Sequence, residues 1–164
     1  MIYTDELLAE LIACPKRITQ PPRQEMKAEG AYLRNDMVLE SLDGMHSFRA
    51  FMRQNRDFPE NFSIGLDYLP KEEPGSFCLI RCNGVHGGHK MHPHHLNCHV
   101  HRAIAEDVNS GLRVERHIEP TQSYAAYRDA LRHFVLTTNV QASDLSRHFP
   151  DLGQGDFFVD GASS

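Results

Sequence analysis

No apolar run in this chain approaches the roughly 18 residues that a membrane-spanning helix needs, so the sequence excludes a helical membrane protein. The opening stretch MIYTDELLAELIACPKRI has no basic segment followed by an apolar one, and it does not read as a secretory signal. Cysteine is scarce. Cys14, Cys78, Cys82 and Cys98 form no C-x-x-C pair, which predicts reduced, buried thiols in a cytoplasmic protein rather than a disulfide framework. An excess of basic charge is also missing. The net charge of −5 is the wrong sign for a protein that wraps nucleic acid. No stretch interleaves aromatic and basic residues in the manner that stacks single-stranded bases. G-x-S-x-G, P-loop and G-x-G-x-x-G motifs are absent.

What remains is the composition of one ordinary domain. The chain has 164 residues, 40% of them hydrophobic and 24% charged, enough to bury a core. Arginine dominates the cations, and its planar fork suits phosphate and carboxylate groups.

Local signals predict the order of elements. Thr4 caps a first helix with Asp5 and Glu6 in its first turn. Leu7, Leu8, Leu11 and Ile12 form its apolar stripe, and Pro15 stops it. Lys16 to Arg23, with Pro21 and Pro22, reads as an extended connection. Tyr32 to Leu42 and His46 to Arg53 flank Asp43-Gly44, a hairpin turn signal. Phe62, Ile64, Leu66 and Tyr68 alternate with polar residues, and SFCLIRC gives a fourth strand ending at Asn83-Gly84. A short helix over 102–111 and a short strand over 112–118 follow. The clearest helix is expected over 121–140, with Tyr124, Tyr127, Leu131, Phe134, Val135 and Thr138 on its apolar face. The expected architecture is a single α+β domain over 1–140. It has an antiparallel sheet of four to six strands and helices packed on one face. Residues 141–164 are expected to form an acidic, glycine-containing tail.

The unusual feature is histidine. The chain has 11, and His86, His89, His92, His94, His95, His99 and His101 fall within one short segment. Gly84, Gly87, Gly88 and Pro93 make the first half of that segment a loop. The second half alternates. Leu96, Cys98 and Val100 take one face of a strand, and His95, Asn97, His99 and His101 take the other. Imidazole is the commonest transition-metal ligand, and H-x-H on a strand puts two rings within reach of one ion. The candidate ligands are therefore His95, His99 and His101, completed by His86, His89 or His92. An all-imidazole set selects zinc, nickel or copper over magnesium or calcium. Arg81 and Lys90 are candidate anion-binding groups beside it, with Arg102 near in sequence. The functional expectation is a histidine-rich metal-binding protein or metal-dependent hydrolase. No paired acids accompany the histidines, which weighs against a two-metal nuclease. Two other readings stand beside it: a non-enzymatic partner-binding module, and a metal-free histidine-based ribonuclease-like protein. The bland reading takes the histidines as polar sheet surface and Cys82 and Cys98 as core. A protein partner or a homo-oligomer fits the sequence equally.

Leu11, Pro15, Lys16 and Ile18, then Arg81, Asn83, Gly84 and His86, then His95, His99 and His101, carry a resemblance. Residues 3–103 resemble a group of small bacterial proteins of uncharacterised function. The resemblance implies the strand-rich architecture and the place of the histidine segment, and no chemistry. The helix expected over 121–140 has no counterpart in that group.

Overall fold

The computed structural model describes residues 1–86, 96–111 and 117–152. In order these form α1 (Asp5–Ala13), β1 (Lys16–Gln20), β2 (Lys27–Glu29), β3 (Tyr32–Ser41), β4 (Ser47–Asn55), β5 (Phe62–Leu69), β6 (Phe77–Asn83), β7 (His99–Arg102), α2 (Ala105–Asn109), β8 (His117–Pro120), α3 (Tyr127–Thr137) and α4 (Ala142–His148). A 3-10 turn over Pro150–Leu152 follows. The strands make one antiparallel sheet in the order β1-β3-β4-β5-β6-β7-β8, with β2 also paired to β3.

The fold remains α+β, but the sheet has eight strands among the described residues, not four to six. The two additions, β1 and β2, are short and lie at the β3 side of the sheet. β1 was expected as a connection, because Pro21 and Pro22 follow it closely. Yet Lys16, Arg17 and Ile18 pair with Ser41, Glu40 and Leu39, and the prolines only end the strand. β2 is three residues long and wholly exposed, so it has no alternation to read. A further difference is the strand expected around Leu96, which begins only at His99. Leu96 is exposed and lies outside the core.

Alternation in β3 to β6 sorts the side chains onto two faces. Met37, Leu39, Phe48, Ala50, Met52, Phe62, Ile64, Leu66, Ile80 and Cys82 are buried on one of them. The helices cover that face. Tyr3, just before α1, meets Phe77 edge-on at 5.1 Å between ring centroids, and Tyr127 of α3 meets Phe62 at 5.8 Å. α1 starts as its sequence dictates, with the Thr4 hydroxyl accepting from Leu7 N–H. α3 is shorter than the helix expected over 121–140. Tyr124 precedes it, and α4 forms a separate helix beyond Thr138. Leu145 and Leu152 are buried, so residues 142–152 pack onto the domain.

Lys16 ties these layers together. It lies on the core face of β1 with none of its surface exposed. Its ammonium donates to Ile12 O at 2.7 Å, Cys14 O at 2.9 Å and Thr138 O at 2.9 Å. Three donors thus meet three carbonyls at the C-terminal ends of α1 and α3, where a cation is favoured. The ammonium also lies 4.8 Å from the centroid of the Phe48 ring. Burial pushes the Lys16 pKa down to about 8, opposed by Cys14, and the group stays charged at neutral pH.

Among the described residues, no helix is long and apolar enough to cross a membrane.

Candidate functional site

The site is assembled by the end of β6 and the start of β7. These strands pair Asn83 with His99, Cys82 with Val100 and Arg81 with His101. Cys82 and Val100 face the helices. Asn83, His99, Arg81 and His101 therefore share the opposite face of the sheet.

Gly84 delivers the next residues. A β-carbon there would lie 2.2 Å from Glu60 O and 2.5 Å from the Phe62 ring, so only glycine lets the chain pass this close to β5. Its N–H donates to Phe62 O at 3.0 Å. Two residues later His86 reaches back over β7. Its Nε2 stands 3.3 Å from His99 Nε2, with ring centroids 5.0 Å apart. The His101 ring is 5.0 Å from the His99 ring at an interplanar angle of 61°. The structure thus brings three of the candidate imidazoles together along one line of contact.

His99 is the fixed member. It has no exposed surface. Its Nδ1 lies 2.9 Å from Asn97 O, and a carbonyl can only accept, so Nδ1 carries the proton. In the neutral ring Nε2 then presents its lone pair. Asn83 Nδ2, 3.4 Å away, faces that same nitrogen. Asn83 is itself held by Ser63, whose hydroxyl lies 2.9 Å from its Oδ1. The Tyr124 hydroxyl lies 2.9 Å from Asn83 O and 3.0 Å from His99 O, so it bridges the backbones of both strands. Burial pushes the Tyr124 pKa strongly upward, so the hydroxyl keeps the proton it donates to these carbonyls.

Cys82 is fully buried on the helix side, and desolvation pushes its thiol up to about 12. Cys98 is shifted in the same direction by burial. Both lie on the helix side of the sheet, Cys98 Sγ against Ala125 O at 3.8 Å, away from the histidine rings. Arg81 is half-buried on the histidine face, directly across from His101. Arg102 lies on the helix face with Ile80. Its positive charge adds to burial in lowering the pKa of His133.

His89, His92, His95 and Lys90, together with His94, lie outside the described residues. Among the described residues, no group of three or more His, Cys, Asp or Glu side chains stands in metal-binding geometry. Two members of the site carried misleading signals in the sequence. Asn83 before Gly84 read as a turn residue, although it is the last residue of β6. Tyr124 read as an apolar position on a helix, although its hydroxyl makes the contact that matters. No protein-family profile, curated protein or solved structure matches the chain.

Proposed function

We propose that this protein binds a transition-metal ion through imidazole nitrogens at the β6–β7 junction. His86 and His99 are the core of the ligand set and His101 stands beside them. The observation that carries this reading is the pair of Nε2 atoms 3.3 Å apart, with His99 Nδ1 anchored on a backbone carbonyl. Two nitrogens that each lie about 2.0–2.1 Å from one tetrahedral ion stand roughly 3.3 Å from one another. The anchoring of Nδ1 is the support that metal-ligating histidines ordinarily have. Neutral nitrogen donors with no carboxylate suit zinc, nickel or copper. His89, His92 and His95 are close enough in sequence to complete the set. Burial of His99 and His101 favours holding an ion over turning over a substrate. The half-buried His86 is the member through which a metal-dependent hydrolase would meet water.

A second reading uses the same contact. At 3.3 Å, Nε2–H of one ring can donate to Nε2 of the other. The pair would then share a proton without metal, as in acid–base catalysis on a phosphodiester.

Elemental analysis of untagged protein purified without added metal separates the two. The metal reading expects close to one zinc, nickel or copper ion per chain, lost in His86→Ala and in His99→Ala. Protein that takes up no ion, even when titrated with zinc, or whose occupancy ignores both substitutions, would sink it. Cleavage of RNA in the presence of a chelator, abolished by the same substitutions, would instead establish the metal-free pair.

A further inference from the structure

All described helices lie on one face of the sheet, and the other face of β3 to β5 carries side chains with a pattern of its own. The registers place Tyr32, Arg34 and Asp36 of β3 opposite Asn55, Arg53 and Phe51 of β4. Phe51 in turn lies opposite Gly65 of β5, and Gly65 opposite Arg81 of β6. Arg49 and Arg53 flank Phe51 on its own strand.

Gly65 explains what Phe51 does. Glycine in the middle of a central strand weakens it, and its presence marks a close approach by another group. Here that group is the Phe51 ring. A β-carbon on residue 65 would lie 2.3 Å from Phe51 Cζ and 2.4 Å from Cε1. The ring therefore lies down across β5 with one side against the backbone, and Phe51 is partly buried. Beside it the Arg53 guanidinium stacks on Tyr32, 4.2 Å from the ring centroid, and Arg53 Nε makes no hydrogen bond. Arg34 and Arg49 are exposed. The acids on this face are Asp36, directly opposite Phe51, Asp67, directly opposite Arg49, and Glu40, which pairs with Arg17 at 3.1 Å, with Glu29 at the margin, 3.7 Å from Arg34. Both partners of that pair are about half-exposed, so it is weak. In a chain of net charge −5, four arginines thus surround one recumbent aromatic ring.

We propose that this face binds single-stranded nucleic acid, with a base stacked on Phe51 and the backbone phosphates met by Arg34, Arg49 and Arg53. An aromatic ring lying flat on a sheet among guanidinium groups offers a stacking surface and phosphate partners together. An acidic peptide would use the arginines and leave the ring idle. The inference uses residues other than the histidine pair and stands independently of metal binding.

Fluorescence anisotropy of the full chain at low salt, with labelled oligouridine and oligothymidine of about ten nucleotides, provides the test. We expect saturable binding, with RNA or DNA identified by whichever oligomer binds more tightly. Phe51→Ala should weaken binding roughly fivefold or more, since a stacked base commonly contributes that much, while Phe51→Trp retains it. Arg49→Ala/Arg53→Ala should flatten the dependence on salt, as lost phosphate contacts do. Circular dichroism should show each variant folded, and Phe51→Trp also guards against misfolding. No saturable binding of either oligomer overturns the proposal. So does binding that Phe51→Ala leaves unchanged and heparin abolishes equally in both proteins, which is charge attraction alone. Zinc uptake by Phe51→Ala should equal that of the unmodified protein, so failure here leaves the metal reading untouched.

Discussion

A single buried ammonium shows how much one residue contributes to this molecule. Lys16 satisfies three carbonyls that α1 and α3 leave open at their C-terminal ends. Lys16→Met keeps the apolar stem and removes all three donors. Urea denaturation should report a loss of about 3 kcal/mol, the scale expected when a buried charged hydrogen-bonding group is deleted. A change below about 1 kcal/mol would mean that water replaces the ammonium. The same residue has a signature in pH. Unfolded, Lys16 holds its proton to about 10.4. Folded, it releases the proton near 8, because burial disfavours the charge. Between these values the unfolded chain binds more protons, so the contribution of Lys16 to stability rises as pH increases from about 8 to 10. Lys16→Met should lack that rise.

Elements are held to one another through backbone groups at their ends. β1 is a marginal strand, secured from both sides. It pairs with β3 along one edge. On the other, Lys16 N–H donates to Asn139 O and Gln141 N–H to Lys16 O, both at 2.9 Å. Asp144, in the first turn of α4, accepts from Ile18 N–H at 2.8 Å. Asp144→Ala removes the last of these contacts and orphans a strand N–H. Unfolding stability should fall by about 1 kcal/mol, and amide exchange should quicken at Ile18 and across α4 while β4 and β5 stay protected. Uniform exchange across the sheet would show that α4 and the core open as one unit. Alternation in β3 to β6 and the Asp43-Gly44 turn were legible locally, because each depends on neighbours in sequence. β1, β2 and the start of β7 were not. Their pairing partners supply what their own composition lacks, and Leu96 shows that three alternating apolar residues do not make a strand without one.

For the whole molecule, the proposed ion would act as a ligand that binds the folded state. Zinc should raise the thermal unfolding midpoint, by an amount equivalent to about 2.7 kcal/mol at a hundredfold excess over Kd. His99→Ala should show no zinc-dependent rise relative to its own baseline. A rise of equal size in the variant would place the ion elsewhere on the chain. The two faces of the sheet divide the labour. One is closed by helices and carries the core. The other carries the histidines at the β6–β7 junction and, in the same ladder row as His101, Phe51 lying over Gly65 with Arg81 between them.

The sequence alone determined the features that follow from periodicity and turn chemistry. These are the central antiparallel strands, α1 with its Thr4 cap, the absence of a membrane-length apolar helix, and the segment in which imidazoles gather. It also placed Val100 opposite in phase to His99 and His101, since strand side chains alternate whatever the partner. Only the tertiary structure decided which histidines meet. His86 and His99 are 13 residues apart, and their contact depends on antiparallel pairing of β6 with β7 and on a glycine that lets the chain skim past β5. Likewise Arg49, Phe51 and Arg53 alternate along β4, an aromatic and basic interleaving overlooked in the sequence, and they become a surface with Gly65 once β3, β4 and β5 lie side by side. Contacts between strands depend on register, and register is set by burying one face of the whole sheet at once.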